Sequence, residues 1–290
     1  MSLTERCLQI IADTARIPSF SSFEERLHPY VLALAEQIPG CEITTVAQRN
    51  LLLYVPGQRP GLLALTAHLD KIDHFGPDGP AELPFLRTKT EIQGQMDNTV
   101  GIGIILSLLE QAPNRAWPGL LVLLSEMEEG TGLREHPERM RNGGAGLTSG
   151  MGAERLARHL IEEAQLPDAV ITVDTTPLFR GKPGCALYAG HWEFTKTVPS
   201  PLETQGTQSL TDRLLALDPE LYLGNNTNDY LTYGKVLNEE TGPETAIPSV
   251  ALEPAIFPYH QRNERVYIAD IERLLALLEA YLSQHEPFAS

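Results

Sequence analysis

The chain has 290 residues, of which 38 are acidic and 22 are basic, so its formal net charge is −16. A hydrophobic fraction of 42% with 21% charged residues is typical of a globular protein with a sizeable core, and it excludes a disordered or fibrous chain. The negative charge disfavours nucleic acid and anionic membranes as partners, because both are themselves negatively charged.

The apolar segments are short. All of them fall below the roughly 18–20 residues that a membrane span needs, and the first residues carry charges throughout. Three scattered cysteines, Cys7, Cys41 and Cys185, show no CxxC spacing, so the sequence predicts neither a disulfide framework nor a thiolate zinc site. We therefore expect a cytoplasmic protein without a membrane partner.

Hydrophobic periodicity predicts alternating helices and strands. In chain order these are helices at 3–16 and 23–37, strands at 42–46, 51–55 and 62–67, a helix at 99–110, a strand at 119–124, a helix at 152–164, strands at 169–173, 221–223 and 249–252, and a helix at 268–284. Several of the strands are continuously apolar, as strands covered on both faces are. The pattern predicts an α/β fold with a largely parallel sheet wrapped by helices.

Polar side chains of the metal-ligand type follow the apolar strands. His68 and Asp70 come after the strand at 62–67, Glu128 and Glu129 after the next strand, and Asp174 after the third. Because ligands of a parallel sheet bind beyond the carboxyl ends of its strands, we expect these side chains to converge.

Two further candidates lie in loops. Asp97 stands just before the helix at 99–110, and His260 follows the strand at 249–252. Each of the candidates has an ordinary structural reading when taken alone, such as helix capping for an aspartate. Their joint occurrence in one α/β chain is what favours a site.

Electrostatics favours two metal ions over one. Five acids would meet in one cleft with a combined charge of −5, namely Asp70, Asp97, Glu128, Glu129 and Asp174. Carboxylates that lie so close together cannot all stay ionised without compensation. Two divalent cations contribute +4, and histidine with carboxylate ligands suits zinc, cobalt or manganese.

The same residues resemble, in order, the motifs of a known superfamily. The motifs are His68-x-Asp70, Asp97-Asn98 before a glycine-containing helix, Glu128-Glu129-Gly130, Asp174 and Tyr259-His260. They are similar to those of the co-catalytic dinuclear zinc exopeptidases, and the stretch from 246 to Glu264 looks most like the leucyl- and glutamyl-type aminopeptidase branches. The resemblance covers roughly residues 62–290 and implies a three-layer α/β core with a mixed, mostly parallel sheet.

The resemblance also implies a role for each residue. His68 and Asp174 would bind one zinc ion, Glu129 and His260 the other, and Asp97 would bridge the two. Asp70 and Glu128 would be the catalytic pair. Asp70 would accept the second ring N–H of His68, and Glu128 would be the general base for a metal-bridging water. The peptide bond between Asp97 and Asn98 would be cis.

The implied function is a metal-dependent exopeptidase that hydrolyses peptides or small amides, most simply as an aminopeptidase. The alternatives are a carboxypeptidase or N-acyl amino acid deacylase, and a mono-zinc acyl-transferring or non-catalytic relative. An aminopeptidase needs an acid for the substrate ammonium, whereas a carboxypeptidase needs an arginine. Candidate arginines are Arg134, Arg180 and Arg262.

Compared with the branches of that superfamily, the short segments between the motifs imply a single domain over residues 1–290, open to homo-oligomer formation. Only residues 71–96 separate the first motif from Asp97, which leaves no room for an inserted barrel domain, and residues 175–259 are too few for a full lid. The polar stretch 134–149 and His191 fit no branch of the superfamily. His191 is expected to be structural rather than to line the cleft, and His74 is not expected to be a ligand.

Overall fold

The protein is described by a computed structural model, which covers residues 1–76, 79–130, 140–242 and 246–287. The helices are α1 (Leu3–Ala15), α2 (His28–Ala35), α3 (Thr99–Gln111), α4 (Met151–Glu162), α5 (Trp192–Thr195), α6 (Pro201–Leu217), α7 (Asp229–Thr241) and α8 (Ile268–Gln284). The strands are β1 (Glu42–Val46), β2 (Asn50–Val55), β3 (Leu62–His68), β4 (Leu86–Arg87), β5 (Glu91–Gly94), β6 (Gly119–Ser125), β7 (Ala169–Val173), β8 (Cys185–Tyr188), β9 (Tyr222–Gly224), β10 (Ser249–Pro254), β11 (Ile256–Phe257) and β12 (Glu264–Tyr267).

Eight strands form the larger sheet in the order β1-β2-β6-β3-β7-β10-β8-β9. Its four central strands, β6, β3, β7 and β10, are mutually parallel. Antiparallel strands flank them, with β2 beside β6 and β8 beside β10. The predicted mixed, mostly parallel sheet is confirmed.

Helices cover both faces of this sheet, which explains the continuously apolar strands. Along β3, Leu63 and Leu65 contribute to the core formed with α1, α3 and α8, while Ala64 contributes to the core formed with α4 and α7. Since successive side chains of a strand point to opposite faces, both sets have to be apolar. The three predicted layers are therefore present.

Several elements differ from the sequence prediction. The helix predicted at 23–37 is a 3₁₀ turn, Glu24–Arg26, followed by the shorter α2, whose first turn contains Pro29. No element was predicted at 185–217, which holds β8, α5 and α6. Within the described ranges, none of the helices combines the length and apolar character needed to cross a bilayer.

A second, antiparallel sheet has the strand order β11-β12-β5-β4 and was not predicted. Two of its strands have only two residues, and such segments carry no readable alternation of polar and apolar side chains. Its pairing sets Glu264 opposite Gly94, so the loop before β12 lies beside the segment that follows β5.

Gly101 lets the buried helix α3 approach the end of β7. A Cβ atom there would lie 2.2 Å from the Val173 carbonyl oxygen and 2.3 Å from Asn98 Oδ1. We expect Gly101→Ala to lower the free energy of unfolding by about 1–3 kcal/mol, because both oxygens would have to move away from the added Cβ atom. Urea denaturation measures this change.

The matched control for this substitution is Gly206→Ala in α6. There the nearest atom is a Pro248 ring carbon at 3.0 Å, and the gain in helix propensity opposes the crowding. Unchanged stability of the Gly101→Ala protein would show that the close approach is not needed.

Candidate metal centre

The larger sheet supplies four of the predicted site residues. His68 is the last residue of β3, Glu128 and Glu129 follow β6, and Asp174 follows β7. Because these strands are parallel neighbours, their carboxyl ends lie at one edge. Three of these side chains are buried, and that of Glu128 is partly exposed.

The smaller sheet supplies two more of them, Asp97 and His260. Asp97 follows β5, and His260 lies in the loop between β11 and β12. The buried Glu264 holds both segments, since its Oε2 accepts hydrogen bonds from the backbone N–H groups of Met96 (2.8 Å) and Asp97 (3.2 Å). Its Oε1 accepts one from the Gln261 N–H at 3.2 Å. The structural role of Glu264 was not seen in the sequence.

The carboxylate of Asp97 lies between the two histidines. Its Oδ1 is 3.2 Å from His68 Nε2, and its Oδ2 is 3.5 Å from His260 Nε2. A second acid lies near the same ring nitrogen of each histidine. Asp174 Oδ1 is 3.7 Å from His68 Nε2, and Glu129 Oε1 is 3.2 Å from His260 Nε2. The two oxygens of Asp97 thus face different groups.

Three sets of residues offer potential ligand atoms, and within each set these atoms lie within 4.8 Å of one another. They are His68 with Asp97 and Asp174, Asp97 with Glu129 and His260, and His68 with Glu128 and Glu129. The structure therefore brings together the five residues predicted as ligands and places Asp97 in both of the first two sets. Imidazole nitrogens and carboxylate oxygens in such sets fit divalent cations such as zinc.

The pKa shifts of the carboxyl groups are consistent with a site for divalent cations. Burial raises the pKa of Glu129 to about 7 and that of Asp174 to about 6, and the negative charge of Asp97 adds to both shifts. Burial also raises the pKa of Glu128 well above its usual value. For Asp97 burial acts in the same direction, but hydrogen bonds with His260 and His68 outweigh it and lower its pKa. Bound cations would stabilise the ionised carboxylates.

Asp70 holds His68 and the loop after β6 in place through hydrogen bonds. Its Oδ1 lies 3.3 Å from His68 Nδ1, whereas its backbone carbonyl oxygen is closer at 2.9 Å and so is the better hydrogen-bond acceptor. Its carboxylate also accepts hydrogen bonds from the N–H groups of Glu128 and Glu129, both at 3.0 Å, and from Ser21 Oγ at 2.7 Å. Asp70 therefore positions the loop after β6 as well as the imidazole.

Asn98, not Asp97, caps helix α3. Its Oδ1 accepts a hydrogen bond from the Gly101 N–H (2.9 Å), and its Nδ2 donates one to the Val173 carbonyl (2.8 Å). The capping role leaves the Asp97 carboxylate available to the histidines. The peptide bond between Asp97 and Asn98 is cis, as expected.

His191 lies away from these residues. It follows β8, which runs antiparallel to β10 and so ends at the opposite edge of the sheet. The side chain is buried, with Nε2 3.0 Å from Glu203 Oε1, and it lines a separate cavity of about 210 Å³ together with Lys235. It does not line a cleft at the metal centre.

The remaining charged and titratable residues differ in their positions. The guanidinium of Arg262 packs over the Phe75 ring at 4.9 Å. Arg134 and the stretch 134–139 lie outside the described residues. Asp229 is buried at the first residue of α7, where its Oδ2 accepts a hydrogen bond from Ser125 Oγ at 2.6 Å. Burial of His74 lowers its pKa, and the charges of His260 and Arg262 act in the same direction.

No family model and no curated protein matches the sequence. Solved structures do match. A TET aminopeptidase from a marine-sediment Thaumarchaeota archaeon is 12% identical, with 98% of each chain covered and a TM-score of 0.69. An aminopeptidase from Desulfurococcus kamchatkensis is 13% identical, with 99% of this chain and 97% of that chain covered and a TM-score of 0.67.

A third match is the TET1 peptidase of Pyrococcus horikoshii, 13% identical, with 98% of this chain and 100% of that chain covered and a TM-score of 0.64. At these identities the likeness shows the fold. The chain therefore has the α/β fold of these peptidases, over nearly its whole length, and function has to be argued from the site itself.

Proposed function

We propose that the protein is a dinuclear metal-dependent exopeptidase, and within that class an aminopeptidase. The observation that carries the proposal is the position of Asp97, whose two carboxylate oxygens face His68 and His260 separately. One ion would be held by His68 and Asp174 and the other by Glu129 and His260, with Asp97 shared. Zinc suits this set best, and cobalt or manganese would also fit.

Bound cations would polarise the scissile carbonyl and lower the pKa of the attacking water. The residues of the chain supply the rest. Glu128, partly exposed beside His68 and Glu129, would take a proton from the attacking water and deliver it to the leaving amine as the C–N bond breaks. The carboxylate of Asp70 keeps Glu128 in place by accepting a hydrogen bond from the Glu128 backbone N–H.

An aminopeptidase is favoured over a carboxypeptidase by the acidic surroundings of the centre. A further buried acid, Glu253, lies in β10, the parallel neighbour of β7. Burial together with the charges of Asp174, Asp97 and Glu128 raises its pKa. Two of the matching structures reported above are described as aminopeptidases, which supports the same choice. Nothing in the comparisons singles out the leucyl- or glutamyl-type branch.

We also propose that the protein forms a homo-oligomer, as the TET1 peptidase does according to its description as a tetrahedron or large octahedral shell. Light scattering of the purified protein distinguishes a monomer from an assembly.

Metal analysis tests the proposed function. We expect two zinc ions per chain after equilibrium dialysis, hydrolysis of dipeptides with a free amino terminus, and loss of that hydrolysis on chelation with recovery on adding zinc, cobalt or manganese. The same dipeptides with an acylated, and therefore blocked, amino terminus serve as the matched substrates. Hydrolysis of the blocked series alone would indicate a deacylase or carboxypeptidase, and one zinc ion without hydrolysis would indicate the mono-zinc type.

A further inference from the structure

Glu253 is a buried acid that the roles above leave unused. It lies in β10, is 1% exposed, and was not predicted from the sequence, where it follows the apolar run 249–252. Its Oε1 accepts a hydrogen bond from Asn228 Nδ2 at the start of α7. Its Oε2 has no hydrogen-bond partner among the described residues.

The register of the sheet places Glu253 beside the metal centre. β10 pairs in parallel with β7, with Leu252 opposite Val173, so the next pair along the strands is Glu253 and Asp174. Register partners in neighbouring strands point to the same face of a sheet. The two carboxylates therefore share the face that carries α7.

Two other buried acids around the ligands, Asp70 and Glu264, accept hydrogen bonds on both carboxylate oxygens. The carboxylate of Asp70 accepts three hydrogen bonds, Glu264 accepts three, and Asp229 accepts one from Ser125. Glu253 differs because one of its oxygens is free to accept. An uncompensated buried carboxylate is costly, and protonation would not remove the cost, since it leaves a buried O–H without an acceptor.

The carboxylate of Glu253 lacks a hydrogen-bond donor at Oε2 and a compensating positive charge. A cationic hydrogen-bond donor provides both, because it donates a hydrogen bond to Oε2 and places a positive charge in the acidic surroundings. We propose that Glu253 Oε2 binds the free α-ammonium group of the substrate's first residue. This inference rests on the proposed function, and it makes Glu253 the residue that selects peptides with an unblocked amino terminus. An N-acylated peptide brings no charge to this oxygen and so gains nothing from it.

The substitution Glu253→Gln tests this role, because glutamine has nearly the same size and keeps an oxygen for Asn228. Two substrates serve as probes, L-leucine p-nitroanilide and 4-methylpentanoyl p-nitroanilide, which differ only in the amino group. We expect the variant to lose about 10- to 100-fold in kcat/KM for the first and to change less than 3-fold for the second, as for removal of one charged hydrogen bond. Metal content should remain at the wild-type value.

The matched control is Glu203→Gln. Glu203 is also buried, at 6% exposure, but it lies beside His191 at the other edge of the sheet. We expect both substrates to be hydrolysed as by the wild type. An equal loss for the two substrates in Glu253→Gln would show that Glu253 only supports the fold, and would overturn the inference.

A binding measurement separates this inference from the proposed function. Titration calorimetry on the metal-loaded protein compares L-leucinol with 4-methylpentan-1-ol, which lacks the amino group. We expect leucinol to bind more tightly to the wild type and the two alcohols to bind equally to Glu253→Gln. That result in a protein without peptidase activity would support the amine site and refute the proposed function. Equal binding to an active wild type would refute the amine site alone.

Discussion

Replacing Glu128 by glutamine should reduce kcat for peptide hydrolysis by roughly 10³-fold, equivalent to about 4 kcal/mol of activation free energy, while both metal ions stay bound. Glutamine keeps the backbone N–H that Asp70 holds, so the loop after β6 retains its position. It cannot accept the proton of the attacking water. Steady-state kinetics with a chromogenic substrate, together with elemental analysis of the same sample, measure both quantities.

The neighbouring Glu129→Gln protein is the control for this result. Glu129 Oε1 lies 3.2 Å from His260 Nε2, and Glu129 would hold one ion together with His260 and Asp97, so we expect this variant to lose one metal ion as well as activity. Turnover by the Glu128→Gln protein at the wild-type rate would rule out Glu128 as the general base.

The central strands and the residues that follow them were predictable from the sequence. Residues in β3, β6 and β7 are buried on both faces of the sheet, and that burial produces the apolar runs that define the strands. Each run ends at the same edge of the sheet. The convergence of His68, Glu129 and Asp174 therefore follows from local hydrophobicity and from the parallel arrangement of the strands.

The smaller sheet could not be predicted in this way. β4 and β11 have two residues each, and β12 pairs with β5 across a separation of about 170 residues, which local periodicity cannot record. The positions of Asp97 and His260 depend on that pairing. Both were candidates from their places in loops, and the resemblance to known motifs gave them their roles, whereas the Glu264 contacts that hold their two segments together required the structure.

The two sheets consequently contribute different parts of the site. The larger sheet fixes His68 and Asp174 through continuous strands, and the smaller sheet brings in His260 from a loop. Asp97 is the residue that faces both halves. Glu264 contacts the Asp97 segment and the loop after His260, so it holds together the two segments that the smaller sheet contributes. The affinity for both cations should therefore depend on Asp97 more than on any one of the other ligands.

We accordingly expect Asp97→Asn to lower the zinc content from two ions to one or fewer per chain and to reduce activity by at least about 10³-fold. Asparagine offers a single neutral oxygen, so it cannot place a charged oxygen toward each histidine. Asp174→Asn is the matched comparison, because Asp174 belongs to one ligand set only and should cost one ion. Zinc is counted by elemental analysis after dialysis at equal free concentration.

Thermal unfolding provides a second measurement for the same pair of variants. Ligands that bind only the folded state raise its stability by about 2.7 kcal/mol at a concentration 100 times the dissociation constant. Zinc should therefore raise the Tm of the wild type most, that of Asp174→Asn less, and that of Asp97→Asn least. An Asp97→Asn protein that keeps two zinc ions and the full rise in Tm would show that the two ions, if both bind, do not share this carboxylate.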